Sequence, residues 1–299
     1  MAGFLSPLFE PGFFSNLPVQ TALVVGGVVA VVSGIVGTFT VMRGQSFAGH
    51  SLADVGTAGG SAAFLLGISP LFGFVAMNLV AAGVMEWIGI RRPRGRDLAT
   101  GIVLGAALGL AALFLYLDTT SSSTSGATVN VLFGSIFTLP SSMVPVIVIL
   151  SVVAAGIVLS MCRPLILSSV SSELATAQGV RVRLVGIGYL TALALAVSLS
   201  AVTIGAILST ALLIGPAATA LRVTNRPGRA ALIAAVIGVL ATWLGVVLAY
   251  DSYYWFPSGG GWPVSFFVVT LIFIGYLASQ LRIRARRGAR RQAIATVAG

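Results

Sequence analysis

His50 and Asp54 are the residues of this chain whose types and spacing could most directly do chemistry. His50 is the only histidine, and Asp54 is one of seven acidic residues. Residues four apart on a helix share one face, with Cβ atoms about 5–6 Å apart, so the imidazole and the carboxylate should converge. Such a pair suits Zn²⁺, Mn²⁺ or Fe²⁺. The spacing therefore predicts half of a metal site. An ion pair that tethers neighbouring helices is the alternative.

The residues around this pair have mostly small side chains. The segment "SLADVGTAGGSAAF" at 51–64 would permit close helix contact or leave room for a conduit. Two ligands cannot fill a tetrahedral or octahedral shell, and a second copy of the chain would supply two more. A homodimer with the conduit on its axis follows as an expectation.

A second candidate is the stretch "GAILSTALLIGPAATALRV" at 205–223. Gly205, Gly215 and Pro216 are expected to interrupt a span, because proline removes a helical hydrogen bond. Broken helices at membrane depth are tolerated where they line a cavity, so this segment is a candidate conduit wall. An ordinary kinked packing helix is the competing interpretation.

A third candidate lies between Arg163 and Arg181, in "PLILSSVSSELATAQGV". Ser171 and Ser172 form a capping pattern, and Gly179 is a stop signal. The pattern predicts a short helix on the inner face, outside the bilayer. It could dock another protein or serve as an interfacial connector. Residues 171–179 are called the coupling segment below.

The composition places these candidates in a membrane protein. The chain is 57% hydrophobic and only 8% charged, whereas a soluble domain carries roughly 25% charged residues. The net charge of +10 would suggest nucleic acid in a soluble protein. Here the arginines are clustered between long apolar runs, so the expected surroundings are membrane lipids and no nucleic acid.

The arginine clusters predict the topology. Four apolar intervals separate them, at 44–90, 97–162, 184–221 and 230–281. Each can cross a bilayer twice, at about 20 residues a crossing, and a first run at 19–42 adds one more. The expectation is an all-α bundle of nine spans, or eight if 184–221 holds a re-entrant helix. By the positive-inside rule the arginine face and the C-terminus are cytoplasmic and the N-terminus is outside.

This pattern divides the chain into three parts. An extracytoplasmic segment at 1–18 precedes the transmembrane domain at 19–281, and an Arg-rich cytoplasmic tail follows at 282–299. The expected protein is an integral membrane protein that crosses the bilayer several times.

Missing residue types limit the activity. The chain has no lysine, one histidine and one cysteine, Cys162. A P-loop needs its lysine, and neither a nucleophilic triad nor an intramembrane protease site can be assembled. The chain is therefore not expected to be an enzyme, and transport with energy supplied elsewhere is the leading activity.

Three stretches resemble the membrane subunits of bacterial ABC importers for zinc, manganese and iron, the ABC-3 permeases. They are "MRGQSFAGHSLADVGTAGGSAAFLLGISP" at 42–70, "SSELATAQGV" at 171–180 and "GAILSTALLIGPAATALRV" at 205–223. Together with the order of spans, the resemblance covers residues 19–280.

The resemblance implies a permease that works as a homodimer or pseudo-dimer and has no permanently bound cofactor. Two ATP-binding cassette subunits would bind and hydrolyse ATP on the cytoplasmic face, and an extracytoplasmic binding protein would deliver the metal, zinc or manganese first of all. The family's coupling helix falls on Ser171, Ser172, Glu173, Ala175, Ala177 and Gly179. Its metal-contact pair falls on His50 and Asp54, in reversed order, since the family usually has Asp first and His four residues later.

Two other functions remain open from the sequence. A proton-coupled secondary carrier could use His50 and Asp54 as a proton relay, although such carriers usually contain inverted repeats and none is evident here. A permease for chelated metal would favour ten spans and a wide cavity without a pair for the bare ion.

Overall fold

The computed structural model describes residues 13–88, 93–121, 126–134, 136–255 and 261–298. Within them the regular structure is helical. The helices are α1 Leu17–Met42, α2 Ser46–Leu65, α3 Pro70–Ile88, α4 Pro93–Ser121, α5 Gly126–Phe133, α6 Val144–Ser160, α7 Cys162–Val170, α8 Ser172–Ala177, α9 Val182–Ile204, α10 Ala206–Val223, α11 Pro227–Ser252 and α12 Val264–Ala298. The expected all-α class is confirmed.

Nine helices in these ranges have 17 or more residues, and eight are long and apolar enough to cross a membrane. The ninth long helix is α2, which carries His50 and Asp54 and is too polar to be counted with the others. The chain is thus a multi-pass membrane protein with eight or nine spans, as the arginine spacing predicts.

Helices α1 and α9 form the centre of the bundle. In their most apolar windows 72% and 78% of the residues are buried, compared with 17% in α4 and 22% in α6. A buried hydrogen bond of 2.8 Å joins the hydroxyls of Ser33 in α1 and Ser200 in α9. The outer helices expose large apolar side chains because lipid, and not water, is their solvent.

The small residues of α2 bring it against α3. A Cβ on Gly59 would collide with the backbone of Gly73, and a Cβ on Gly60 would lie 2.5 Å from the ring of Phe74. Gly56 meets the same ring. Of the two uses that the sequence left open, this face of α2 serves close helix contact.

Helices α9 and α10 meet at a single residue, Gly205. Its φ of 91° lies in the region that favours glycine. The end of α5 packs on this corner, since a Cβ on Gly134 would lie 2.5 Å from both the Gly205 nitrogen and the Thr203 oxygen. The two helices of the 184–221 interval are therefore joined by a tight turn.

The expected interruption at Gly215 and Pro216 is wrong, because α10 continues as helix through both residues. The Thr219 hydroxyl donates to the Gly215 carbonyl oxygen at 2.9 Å, a bond within the same helix. A Cβ on Gly215 would collide with Ile272 of α12. Gly215 therefore allows close packing of two helices and does not end one.

The predicted parts of the chain are described to different extents. Residues 1–12 of the segment predicted to be extracytoplasmic, and the arginines at 91 and 92, lie outside the described residues. Helix α12 continues through the predicted tail to Ala298. The side chains of 282–298 lie outside the described part.

Candidate metal-contact site

His50 and Asp54 converge as the spacing predicts. The His50 Nε2 atom lies 3.6 Å from the Asp54 Oδ2 atom. The side chain of His50 is 49% exposed and that of Asp54 is 23% exposed. Because 3.6 Å is longer than a good hydrogen bond, the two groups face each other without closing onto each other.

The other ring nitrogen of His50 has a partner on a different helix. Nδ1 lies 3.2 Å from the hydroxyl oxygen of Thr210 in α10, and the pair forms a hydrogen bond whose direction depends on the tautomer. A ring held at Nδ1 presents Nε2 towards Asp54 in a fixed orientation. Sequence reasoning missed Thr210, which is 160 positions away and belongs to a stretch considered only for its glycines and proline.

The site opens on the outer surface of this chain. Phe47, one turn before His50, is 44% exposed, and Ile207, one turn before Thr210, is 50% exposed. Within the described residues, His, Cys, Asp and Glu form no group of three or more that could hold a metal ion. A single chain therefore presents one imidazole and one carboxylate on an accessible face, and the hydroxyl of Thr210 lies behind the imidazole.

The coupling segment forms the short helix that the sequence predicts. Ser171 caps α8, and its hydroxyl accepts a hydrogen bond from the Leu174 nitrogen at 3.2 Å. Gly179 follows the helix with a φ of 78°. Glu173 and Ala177 are exposed. Ala175, which the sequence placed among the docking residues, is instead fully buried in its own chain.

The chain is similar to known proteins over most of its length. The profile of the ABC 3 transport family matches residues 17–280. The manganese transport system membrane protein MntC of Listeria innocua is 27% identical over 274 residues, which cover 92% of this chain and 93% of the relative. The high-affinity zinc uptake system membrane protein ZnuB of Haemophilus influenzae is 26% identical, covering 77% of this chain and 88% of the relative.

A solved structure has a similar fold over nearly the whole chain. The structure of PsaBC from Streptococcus pneumoniae in complex with Fab contains a chain that is 26% identical, with a TM-score of 0.75. The match covers 90% of this chain and 92% of that one. A profile match over most of the sequence, together with a full-length match in three dimensions, establishes that this chain belongs to the ABC 3 transport family.

Proposed function

We propose that this chain is the permease subunit of an ATP-driven importer that moves a divalent transition metal ion, manganese or zinc, across the bacterial plasma membrane. Family membership, the multi-pass fold and relatives named for manganese and zinc transport support the proposal. The chain itself hydrolyses no ATP, and the metal is its cargo.

The observation that carries the metal assignment is the separation of 3.6 Å between His50 Nε2 and Asp54 Oδ2. If an ion bound both atoms at about 2.1 Å, the angle between the two bonds at the ion would be roughly 115–120°, near the tetrahedral value. The two atoms are thus spaced for one ion. Two protein ligands hold an ion only loosely, as passage requires.

The partners follow from the same proposal. A second copy of the permease would place its own His50 and Asp54 against this pair, since one chain leaves the shell incomplete. ATP-binding cassette subunits would dock on the coupling segment, with Glu173 and Ala177 on the exposed face of α8. An extracytoplasmic metal-binding protein would deliver the ion to the opposite face.

Uptake by reconstituted vesicles tests the proposal. The permease is placed in liposomes with a candidate partner ATPase and a candidate metal-binding protein, and uptake of radioactive manganese or zinc is measured with and without ATP. We expect uptake that needs ATP and stops when the P-loop lysine of the ATPase is replaced.

The same vesicles distinguish the two alternatives. Uptake that follows an imposed pH gradient and ignores ATP would indicate a proton-coupled carrier. Uptake of a metal chelate in preference to the bare ion would indicate a chelate permease. Either result would overturn the proposal.

A further inference from the structure

Arg43 connects three helices at the end of α1. Its guanidinium lies 4.9 Å from the centre of the Tyr189 ring in α9, and its Nη1 donates to the hydroxyl oxygen of Ser168 in α7 at 2.9 Å. A planar guanidinium can stack and donate at the same time, which an ammonium group does less well. Arg43 thus fixes the position of α7 relative to α1 and α9.

The ring under Arg43 is itself held in place. Tyr189 is fully buried, and its hydroxyl donates to the Thr40 hydroxyl at 2.9 Å. The Thr40 hydroxyl donates in turn to the Val36 carbonyl oxygen at 2.9 Å. Because Thr40 and Val36 belong to α1, the contact surface of Arg43 is part of the rigid centre of the bundle.

On one side, Arg43 is connected to the coupling segment through Ser168 and the short end of α7. Ser168 lies three residues before Ser171, and Ser171 is both the C-cap of α7 and the N-cap of α8. The Ser171 nitrogen donates to the Leu167 carbonyl oxygen at 3.2 Å. A movement of α8 therefore acts first on the end of α7, one turn from Ser168.

On the other side, Arg43 is connected to α2 through a closed turn. The Gly44 nitrogen donates to the Val41 oxygen at 3.1 Å, and the Gln45 nitrogen donates to the Thr40 oxygen at 3.0 Å. Gly44 has a φ of 64°. These are the two bonds of a Schellman motif, and α2 begins directly afterwards at Ser46.

We propose that Arg43 is a positioning residue that passes movement of the coupling segment to α2, the helix that carries His50 and Asp54. The inference rests on the proposed function, because it needs α8 to follow the ATPase. Ser168, Arg43 and the turn at 43–45 form one short connection between the two.

The first test measures metal uptake and ATP hydrolysis on the same vesicles containing the complete transporter. Arg43→Met keeps a flexible apolar side chain and removes the guanidinium that stacks and donates. Ser168→Ala removes the hydroxyl that accepts from Arg43 and donates to the Leu165 carbonyl oxygen. We expect uptake per ATP hydrolysed to fall about tenfold in Arg43→Met. The double variant should fall no further, because both changes break the same connection.

Arg222 offers a matched control. Its guanidinium lies 4.7 Å from the Tyr276 ring centre and donates to the Tyr276 hydroxyl at 2.8 Å, but it joins α10 to α12. Arg222→Met should keep the normal ratio of uptake to hydrolysis. An unchanged ratio in Arg43→Met, while the unaltered transporter imports metal, would overturn the inference and leave the proposed function standing.

The second test does not depend on transport. Hydrogen exchange of amides 45–52 is compared in the assembled complex with and without trapped ATP. We expect a difference in the unaltered protein and in Arg222→Met, and none in Arg43→Met. A difference that persists in Arg43→Met, or none in the unaltered complex, would contradict the connection. Absence of metal uptake by the unaltered complex would instead count against the proposed function.

Discussion

Gly134 and Gly205 are in backbone contact, although 71 positions separate them. Both have a positive φ, 85° and 91°, and a Cβ on Gly134 would lie 2.5 Å from the Gly205 nitrogen. The end of α5 is therefore seated on the corner between α9 and α10. Neither position has room for a side chain.

This contact predicts that Gly205→Ala and Gly134→Ala destabilise the bundle. Each forces a positive φ on a residue with a Cβ, at a cost of roughly 1–3 kcal/mol, and adds a steric clash. Thermal unfolding in detergent, followed by tryptophan fluorescence, should show a lower Tm for both. Gly105→Ala is the control, because a Cβ there meets nothing within 4 Å and its Tm should not fall.

The metal-contact pair predicts that His50→Ala and Asp54→Ala each abolish or sharply reduce uptake, because each removes one of only two ligands. Co-purification with the ATPase should be unchanged. Phe47→Leu, on the same exposed side of α2, should transport normally. Normal transport by either alanine variant would make the pair a structural tether.

Exchange of the two residues separates coordination from position. The double variant His50→Asp with Asp54→His keeps the same two ligands on the same face and restores the order usual in the family. We expect it to retain substantial uptake in the vesicle assay. If it is as inactive as the alanine variants, the ligand set alone does not account for transport.

The hydrogen bond between His50 and Thr210 predicts a smaller effect. Thr210→Val removes the hydroxyl and keeps the shape of the side chain, so the imidazole loses its fixed orientation. Loss of such an outer partner typically costs about 10–100-fold in metal affinity or activity, and we expect a loss near the lower end in uptake at limiting metal. Thr210→Ser, which keeps the hydroxyl, should restore it.

The two alanines of α8 should respond differently to a bulky substitution. Ala177 is exposed, so Ala177→Trp should uncouple ATP hydrolysis from metal uptake while the protein stays folded. Ala175 is fully buried, so Ala175→Trp should overpack the site. We expect the free energy of unfolding to fall by about 1–3 kcal/mol and the Tm to fall with it. Stimulation of hydrolysis by loaded binding protein that persists in Ala177→Trp would show that α8 is a connector only.

The predicted topology can be read by cysteine labelling in a Cys162→Ser background. A cysteine at Tyr253, which is 56% exposed, should react with an impermeant reagent in intact cells. It lies in the middle of the 230–281 interval, which is predicted to cross the bilayer twice and to turn on the side opposite the arginines. A cysteine at position 94 should react only after the membrane is opened. Labelling of position 94 from outside would reverse the assigned orientation.

Features set by neighbours in sequence were predictable from sequence. His50 and Asp54 converge because they are one turn apart, and Ser171 and Gly179 bound α8 through local backbone geometry. Thr210 was not predictable, because a single threonine carries no signal of the histidine that it will meet. Pro216 was misjudged for a related reason. The sequence shows a residue that disrupts helices, but it does not show that α12 packs against Gly215 beside it.

The polarity of α2 also bears on how the chain enters the membrane during synthesis. An aspartate near the middle of an inserting helix costs about 2.5–3.5 kcal/mol, and α2 has few large apolar side chains to offset that cost. Its glycines instead fit the surface of α3. Newly made α2 should therefore wait at the membrane interface until α3 is available, and the two should insert as a pair. The proposed metal-contact residues of α2 therefore make its insertion into the membrane depend on α3.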